Sequence, residues 1–278
     1  MVISFSGGRT SGFMTKWLLE NKSSEYEFLI LFANTGQESE KTLEFINNCD
    51  KHFGFNTIWL ESVVHHGERK SNSHKIVTFE TACRDKSLFE EMIKKHGIPN
   101  AAFPHCTREL KLAPINSYLK SIGWRLDYKT AIGIRADETR RVRKDATEAD
   151  ICYPLIDMVR VDKQDVLDWW EEQSFDLELE EHQGNCTWCW KKSLHKHMML
   201  IKENKQIFDV PMYFEETYPN TGAHQNKTKP RTFFRGNYST KMLFKIYEES
   251  GGHAKSLPRA YENSGCSESC ELFPMETA

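Results

Sequence analysis

The feature that most constrains this chain is a pair of glycines placed between an apolar run and a helical pattern. Residues 2–5 read Val-Ile-Ser-Phe, which is typical of a buried strand, and Ser6-Gly7-Gly8-Arg9-Thr10-Ser11 follows at once. Apolar residues then recur with helical spacing over 13–18. The order strand, glycine loop, helix predicts that backbone N–H groups at the helix N-terminus bind a phosphate.

The glycine loop matches neither of two common phosphate-binding motifs. It lacks the Gly-Lys-Ser/Thr ending of a Walker A sequence and the Gly-x-Gly-x-x-Gly dinucleotide fingerprint. A plain turn made by two glycines is the alternative. The position of the loop at the carboxyl end of the first strand favours a ligand site, because ligands of open α/β sheets bind at that edge.

Strand and helix patterns alternate through the first two thirds of the chain. Further strands are predicted at 28–33, 56–60, 128–134 and 152–156, with helical patterns between and after them. This alternation predicts an α/β fold with a doubly wound, mostly parallel sheet and helices on both faces. We expect a nucleotide-binding domain over 1–180 and, over 181–278, a helical and irregular C-terminal appendage packed on the same domain.

Two later loops are expected to reach the same edge of the sheet. Asn34-Thr35-Gly36 follows the second strand, and Gly133-Ile134-Arg135 ends a later one. The carboxyl ends of parallel strands meet at one edge, so these loops and the glycine loop should converge there. Arg135 is then placed to bind a phosphate or a sulfate.

Bulk properties exclude several classes of protein. The net charge of −3 argues against a sequence-blind nucleic-acid binder, which normally carries a basic excess. The apolar runs are shorter than the roughly 20 residues that span a bilayer. The first residues lack the basic and apolar regions of a secretory signal, so we expect a cytoplasmic protein.

Five of the eight cysteines suggest chemistry. Cys186 and Cys189 form a Cys-x-x-Cys, Cys106 precedes a predicted helix, and Cys266 and Cys270 form a Cys-x-x-x-Cys near residue 278. In a reducing compartment, clustered cysteines are more often metal ligands or redox groups than structural disulfides. Zinc, a [4Fe–4S] cluster and a thioredoxin-like dithiol all use such spacing, and spacing alone does not separate them.

Taken together, these motifs resemble those of the phosphoadenosine phosphosulfate (PAPS) reductase family, within the adenine nucleotide alpha-hydrolase and PP-loop group. The resemblance covers roughly residues 3–193 and is closest to phage-encoded members. It rests on the glycine loop, on the segments 33–38, 106–111 and 131–135, and on Gly184-Asn185-Cys186-Thr187-Trp188-Cys189.

The resemblance implies an adenine nucleotide, PAPS or ATP, held by the glycine loop. It also implies a [4Fe–4S] cluster, for which Cys106, Cys186 and Cys189 match family ligands. We assign the fourth position to Cys270, with Cys266 or a small ligand as alternatives, and zinc remains the alternative metal. The chain departs from the family in having His105-Cys106 in place of two cysteines and Thr10 where ATP-cleaving members have Asp.

Three functions follow as hypotheses. The first is an oxidoreductase in which a thiolate of Cys266 or Cys270 attacks a nucleotide-bound sulfonate, a thiol protein supplies electrons, and Arg9, Lys111 and Arg135 neutralise the substrate. The second is an ATP-dependent sulfur-transfer enzyme acting on nucleic acid, suggested by the basic run 140–144 and by four aromatic residues that could stack on bases, Trp188, Trp190, Phe233 and Phe234. The third is a nucleotide sensor whose cluster is structural.

Overall fold

Six strands form one sheet in the computed structural model, which describes residues 1–124, 127–222 and 229–251. They are β1 (Val2–Ser4), β2 (Leu29–Ala33), β3 (Ile58–Val63), β4 (Ser73–Val77), β5 (Thr130–Ala131) and β6 (Ile151–Cys152). The order across the sheet is β4-β3-β2-β1-β5-β6, and every neighbouring pair is parallel except β3 with β4. The predicted α/β fold with a mostly parallel sheet is confirmed.

Helices flank the sheet and make up most of the chain after it. They are α1 (Arg9–Lys22), α2 (Glu40–Phe53), α3 (Ser87–His96), α4 (Ala113–Ser121), α5 (Pro154–Asp157), α6 (Lys163–Glu171), α7 (Leu194–Glu203), α8 (Asp209–Thr217) and α9 (Thr240–Glu249). A π-helical segment, Cys106–Leu112, runs directly into α4, and a 3-10 segment, Ala136–Arg141, follows β5. None of the helices in the described ranges has the length and apolar character needed to cross a membrane.

Two of the predicted strands are wrong in extent, and one strand was missed. The strand predicted over 128–134 pairs only over Thr130–Ala131. The strand predicted over 152–156 ends at Cys152, because Pro154 starts α5, where proline fits the first turn of a helix. Antiparallel β4 has no apolar run, since only Val77 of its residues is buried.

A large hydrophobic cluster, here called the sheet core, lies between one face of the sheet and the helices α1, α2 and α6. Phe5, Phe45 and Trp170 are each at most 2% exposed. The rings of Phe45 and Trp170 lie 4.8 Å apart between centroids, which joins α2 to α6. Full burial of a large apolar side chain stabilises a fold by about 1.5–3 kcal/mol. The sheet core therefore holds in place the loops that connect its strands and helices. The opposite face packs on α4.

A second hydrophobic cluster, here called the helical core, contains α3, α7, α8, α9 and the Cys-x-x-Cys loop. Its largest fully buried side chains are Trp188, Phe208, Phe214 and Phe233. Trp188 contacts the rings of both Phe89 and Phe233, with centroids 5.0 Å apart in each case. The loop that carries Cys186 and Cys189 is therefore part of a packed core, and its position is fixed by that packing.

Candidate nucleotide site and cysteine loop

The glycine loop turns sharply from β1 into α1. Gly8 is the N-cap of α1, and Gly7 has a φ of +76°, a conformation that L side chains rarely adopt. A Cβ atom on Gly7 would lie 2.7 Å from the Thr42 side chain and 2.8 Å from that of Ile46. Glycine at this position therefore allows α2 to pack against the loop, and the loop places the first backbone amides of α1 at the sheet edge.

The serine hydroxyls of the loop bond to the loop itself. The Ser11 Oγ donates to the Gly8 carbonyl at 2.9 Å, accepts from the Gly8 amide at 3.3 Å, and lies 3.1 Å from the Ser6 Oγ. These hydroxyls hold the turn in shape, so the backbone amides of the N-terminal turn are the groups best placed to bind an anion.

Arg9 points its side chain away from the turn. Its Nε donates to Asp176 Oδ1 at 2.7 Å, its Nη2 pairs with the other oxygen, and its Nη1 donates to the Leu179 carbonyl at 2.9 Å. Burial alone would raise the pKa of Asp176, but the hydrogen bonds and charge of Arg9, together with the backbone amides of Leu177 and Glu178, lower that pKa below its usual value. The guanidinium therefore fastens α1 to the segment after α6, and only the main chain of Arg9 stays in the loop.

The loop after β5 lies against the start of α1, as the sequence predicts. A Cβ atom on Gly133 would approach the Ser11 Cα to 3.2 Å, so glycine permits the two backbones to come this close. Arg135, 6% exposed, donates from Nη1 to the Thr10 Oγ1 at 3.1 Å. A buried guanidinium thus stands beside the N-terminus of α1.

The loop after β2 is fixed by a buried amide. Asn34 is 0% exposed, and its Nδ2 donates to Glu61 at 2.8 Å and to the Cys83 carbonyl at 2.9 Å. Gly36 has a φ of +76°, and a Cβ there would lie 2.5 Å from the Asp85 carbonyl oxygen. The Asn-Thr-Gly sequence therefore reflects a tight turn with no room for a side chain at its third residue.

The Cys-x-x-Cys loop docks on this second loop. The Thr187 amide donates to the Gln37 carbonyl at 2.9 Å, and the Trp188 indole donates to the Gln37 Oε1 at 2.7 Å. The Cys186 Sγ lies 3.2 Å from the Thr35 Oγ1 and 3.6 Å from a carboxylate oxygen of Glu38. These contacts bring the cysteine pair to the edge of the sheet that carries the glycine loop.

Cys106 reaches the same region from the other side. It is the first residue of the π-helical segment, and the Trp190 indole donates to its Sγ at 3.4 Å. Lys111 on that segment, together with Lys191 and Lys192 after the cysteine pair, is below 10% exposed. These three lysines add buried positive charge to the segments that carry the cysteines.

The predicted cluster ligands are not gathered into a metal site by the part of the chain that the structure describes. Within residues 1–124, 127–222 and 229–251, no group of three or more His, Cys, Asp or Glu side chains is arranged to hold a metal ion. Cys266 and Cys270 lie outside the described residues. The side chains in these ranges therefore do not by themselves form a metal site.

Sequence reasoning missed Asp176, which lies in no motif and holds the glycine loop through Arg9. Gln37 and Glu38 lie in the segment 33–38, but their contacts with the cysteine loop are not predicted by the sequence. Asp137 and Glu138 lie two and three residues after Arg135, and their acidic side chains near a predicted phosphate-binding arginine were a signal of their role.

The sheet order, the glycine turn at the end of β1 and the loops beside it define a nucleotide-binding α/β protein. A sequence model described as "Phosphoadenosine phosphosulfate reductase domain" matches residues 1–150, more than half of the chain. The chain belongs to the phosphoadenosine phosphosulfate reductase family.

Its relatives include a phage protein of similar length. The uncharacterized nin region protein ORF290 of Escherichia phage lambda is 33% identical over 284 residues, which cover 98% of this chain and 94% of that protein. The uncharacterized proteins MJ0066 and MJ0973 of Methanocaldococcus jannaschii are 25% and 28% identical over 139 and 117 residues. The chain spans only 23% and 22% of their lengths.

Proposed function

We propose that the protein is an enzyme that binds an adenine nucleotide at the N-terminus of α1 and reduces a sulfonate carried by that nucleotide. The observation that carries the proposal is the docking of the cysteine loop on the loop after β2, through Thr35, Gln37 and Trp188. It brings the thiols and the glycine loop to one edge of the sheet. Membership of the PAPS reductase family supports a nucleotide as the ligand.

Anion binding at this edge uses main-chain and side-chain donors together. The first amides of α1 carry the partial positive charge of the helix N-terminus, and Arg135 stands within hydrogen-bond distance of Thr10 in the same turn. Because Thr10 is neutral, it accepts a hydrogen bond from Arg135 without adding negative charge beside a guanidinium that already pairs with Asp137. An aspartate there would add a further carboxylate beside Arg135 and weaken its hold on phosphate or sulfate.

The reductive step is proposed for the cysteines near residue 270, which lie outside the described residues. A thiolate of Cys266 or Cys270 attacks the sulfur of the sulfonate, an S–S bond forms, and the sulfur–oxygen bond to the nucleotide breaks. A second thiolate then attacks the cysteine sulfur, which releases sulfite and leaves a disulfide. A dithiol protein reduces that disulfide and supplies the two electrons of the cycle.

The [4Fe–4S] cluster on Cys106, Cys186, Cys189 and Cys270 stays a prediction, with zinc as the alternative. Anaerobic purification followed by iron, sulfide and zinc analysis tests it. We expect about four iron and four sulfide per chain. One zinc per chain would replace the iron–sulfur assignment by the zinc one, and protein without either metal would contradict both.

Nucleotide binding is tested by calorimetry with PAPS and ATP. We expect Arg135→Gln to weaken binding at least tenfold, about 1.4 kcal/mol, because it removes the buried charge beside the α1 N-terminus. Arg143→Gln is the matched control, because Arg143 pairs with Asp145 in the following loop. Wild-type protein that binds neither nucleotide would contradict the proposal.

The reaction is tested separately from binding. Incubation of PAPS with the protein and dithiothreitol should release sulfite, and Cys266→Ser and Cys270→Ser should each abolish the release. A protein that binds PAPS tightly but releases no sulfite would overturn the reductase assignment and favour a sensor.

A further inference from the structure

Two of the four basic residues in the run 140–144 form ion pairs within their own segment. The Arg141 Nη1 donates to the Glu138 Oε1 at 2.8 Å, and the Arg143 Nε donates to the Asp145 Oδ1 at 2.8 Å. The side chain of Arg141 is only 8% exposed, whereas Arg140 and Lys144 are exposed. Arg141 therefore belongs to a buried ion pair with Glu138 and differs in this from its exposed neighbours.

The pair stands next to Arg135. Asp137 holds that guanidinium side-on, with Nε–Oδ1 and Nη2–Oδ2 distances of 3.0 and 3.2 Å. The Glu138 Oε1 lies 3.6 Å from the Arg135 Nη2, and the Glu138 side chain is 9% exposed. One buried carboxylate oxygen therefore lies between two buried guanidinium groups, while the Nη1 edge of Arg135 faces Thr10.

The backbone conformation of Glu138 fits its contact with Arg135. Glu138 interrupts the 3-10 segment with φ −113° and ψ 24°. Its Oε2 accepts from the Arg135 amide at 3.4 Å. Burying such a network costs desolvation energy, and a salt bridge in the interior is weak support for stability alone. Its benefit is a guanidinium whose rotamer is set before any ligand arrives, which lowers the entropy that binding must overcome.

We propose that Glu138 is a positioning residue: tethered by Arg141, it fixes Arg135, together with Asp137, at the N-terminus of α1 for an anionic group of the ligand. This inference rests on the proposed function, in which a nucleotide phosphate or sulfonate binds at that turn. Glu138 touches no ligand and acts through Arg135. The ligand class it serves is a nucleotide with a negatively charged group at the turn.

The test uses Glu138→Gln, because simple electrostatics and positioning predict opposite changes in the affinity for an anionic ligand. Removing a negative charge near an anion site should tighten anion binding by Coulomb attraction alone. Loss of the fixed Arg135 rotamer should weaken it. We expect PAPS and ATP to bind at least tenfold more weakly to the full-length variant. The affinity for adenosine, measured by competition, should change less than twofold.

Two further variants keep the test decisive. Glu148→Gln, in an exposed position of the following loop, is the matched control and should leave all affinities within twofold. Arg141→Lys keeps the charge but loses the planar fork that meets Glu138, and we expect at least threefold weaker PAPS binding. If Glu138→Gln does not fold, Arg141→Lys decides alone.

The outcomes separate this inference from the function on which it rests. If the wild-type protein binds no adenine nucleotide, the proposed function is wrong, and so is the positioning role that rests on it. Wild-type protein that binds PAPS or ATP, together with Glu138→Gln and Arg141→Lys variants that bind equally or more tightly, overturns only the positioning role. Equal losses for adenosine and for the charged nucleotides would show a merely structural role.

Discussion

The sheet core and the helical core bury polar groups in different ways. Beside the sheet core, the Asn34 amide donates to Glu61 and to the Cys83 carbonyl, and this bonding holds a loop of the candidate site. In the helical core, His197 is 2% exposed, and neither ring nitrogen has a hydrogen-bond partner within the described ranges. Its ring centroid lies 4.8 Å from that of Phe234 and 5.8 Å from that of Phe208.

This difference shows which region bears the site and which supports it. A buried polar group with satisfied bonds fixes one loop geometry, whereas an imidazole among aromatic rings is only packed. The two regions meet where Gln37 accepts from Trp188 and where the Glu38 and Cys186 backbones pair. The helical core therefore serves the site by presenting the cysteine loop.

The largest expected effect lies in the loop where the two regions meet. Gly36→Ala places a Cβ 2.5 Å from a backbone oxygen, at a φ of +76°. We expect about 3 kcal/mol or more of lost stability, from left-handed strain plus the overlap, measured by urea unfolding.

Gly54→Ala is its matched control. Gly54 also has a positive φ, +68°, but nothing lies within 4 Å of a Cβ there. The cost should be about 1–2 kcal/mol, from backbone strain alone. Equal losses of stability in the two variants would show that the loop after β2 can move away from Asp85. The loop would then not be a rigid contact between the two regions.

A second prediction concerns the pH dependence of the helical core. Burial first, and the positive charges of Lys192 and Arg235 second, lower the pKa of His197 to about 3. The unfolded imidazole has a pKa of about 6.5, so between these values the unfolded chain binds a proton that the folded chain does not. The free energy of unfolding should fall as the pH drops below 6.5, by up to about 1.4 kcal/mol per pH unit.

His197→Phe should remove this part of the slope, because phenylalanine fills a similar space and takes up no proton. In the wild-type protein, His197 should lower the free energy of unfolding by about 2 kcal/mol at pH 5 relative to pH 8. His195→Phe, at an exposed position of the same helix, is the control and should leave the slope intact. An unchanged slope in His197→Phe would assign the acid sensitivity to other groups.

The smallest effect is the coupling between the two regions. Trp188→Phe keeps a ring in the helical core but removes the 2.7 Å hydrogen bond to Gln37. We expect a loss of about 1–2 kcal/mol and, in a double-mutant cycle with Gln37→Met, a coupling of about 1 kcal/mol.

The control for that cycle is Trp170→Phe. The Trp170 indole donates to the Arg9 carbonyl at 2.9 Å, within the sheet core, so its effect should add to that of Gln37→Met. Zero coupling between Gln37 and Trp188 would mean that this side-chain hydrogen bond does not help to join the two regions.

Local sequence was sufficient to predict much of the sheet region. The apolar runs at 2–5 and 28–33 and the glycine turns predicted the strands, the loops and their convergence, because strand burial and tight turns each leave a short-range pattern. Antiparallel β4 left no such pattern, and strand β5 proved shorter than its apolar run. The division of the chain near residue 180 remains a prediction.

The sequence by itself determined the α/β class, the glycine turn after β1 and the identity of the candidate thiols, because these depend on residue types at fixed spacing. Only the tertiary structure decided the partners: Asp176 for Arg9, Glu138 and Asp137 for Arg135, and Gln37 for Trp188. Arg9 and Arg135 both looked like phosphate ligands in the sequence. Folding pairs Arg9 with Asp176, 167 residues away, whereas Arg135 pairs with the nearby Asp137 and still donates a hydrogen bond to Thr10 in the turn.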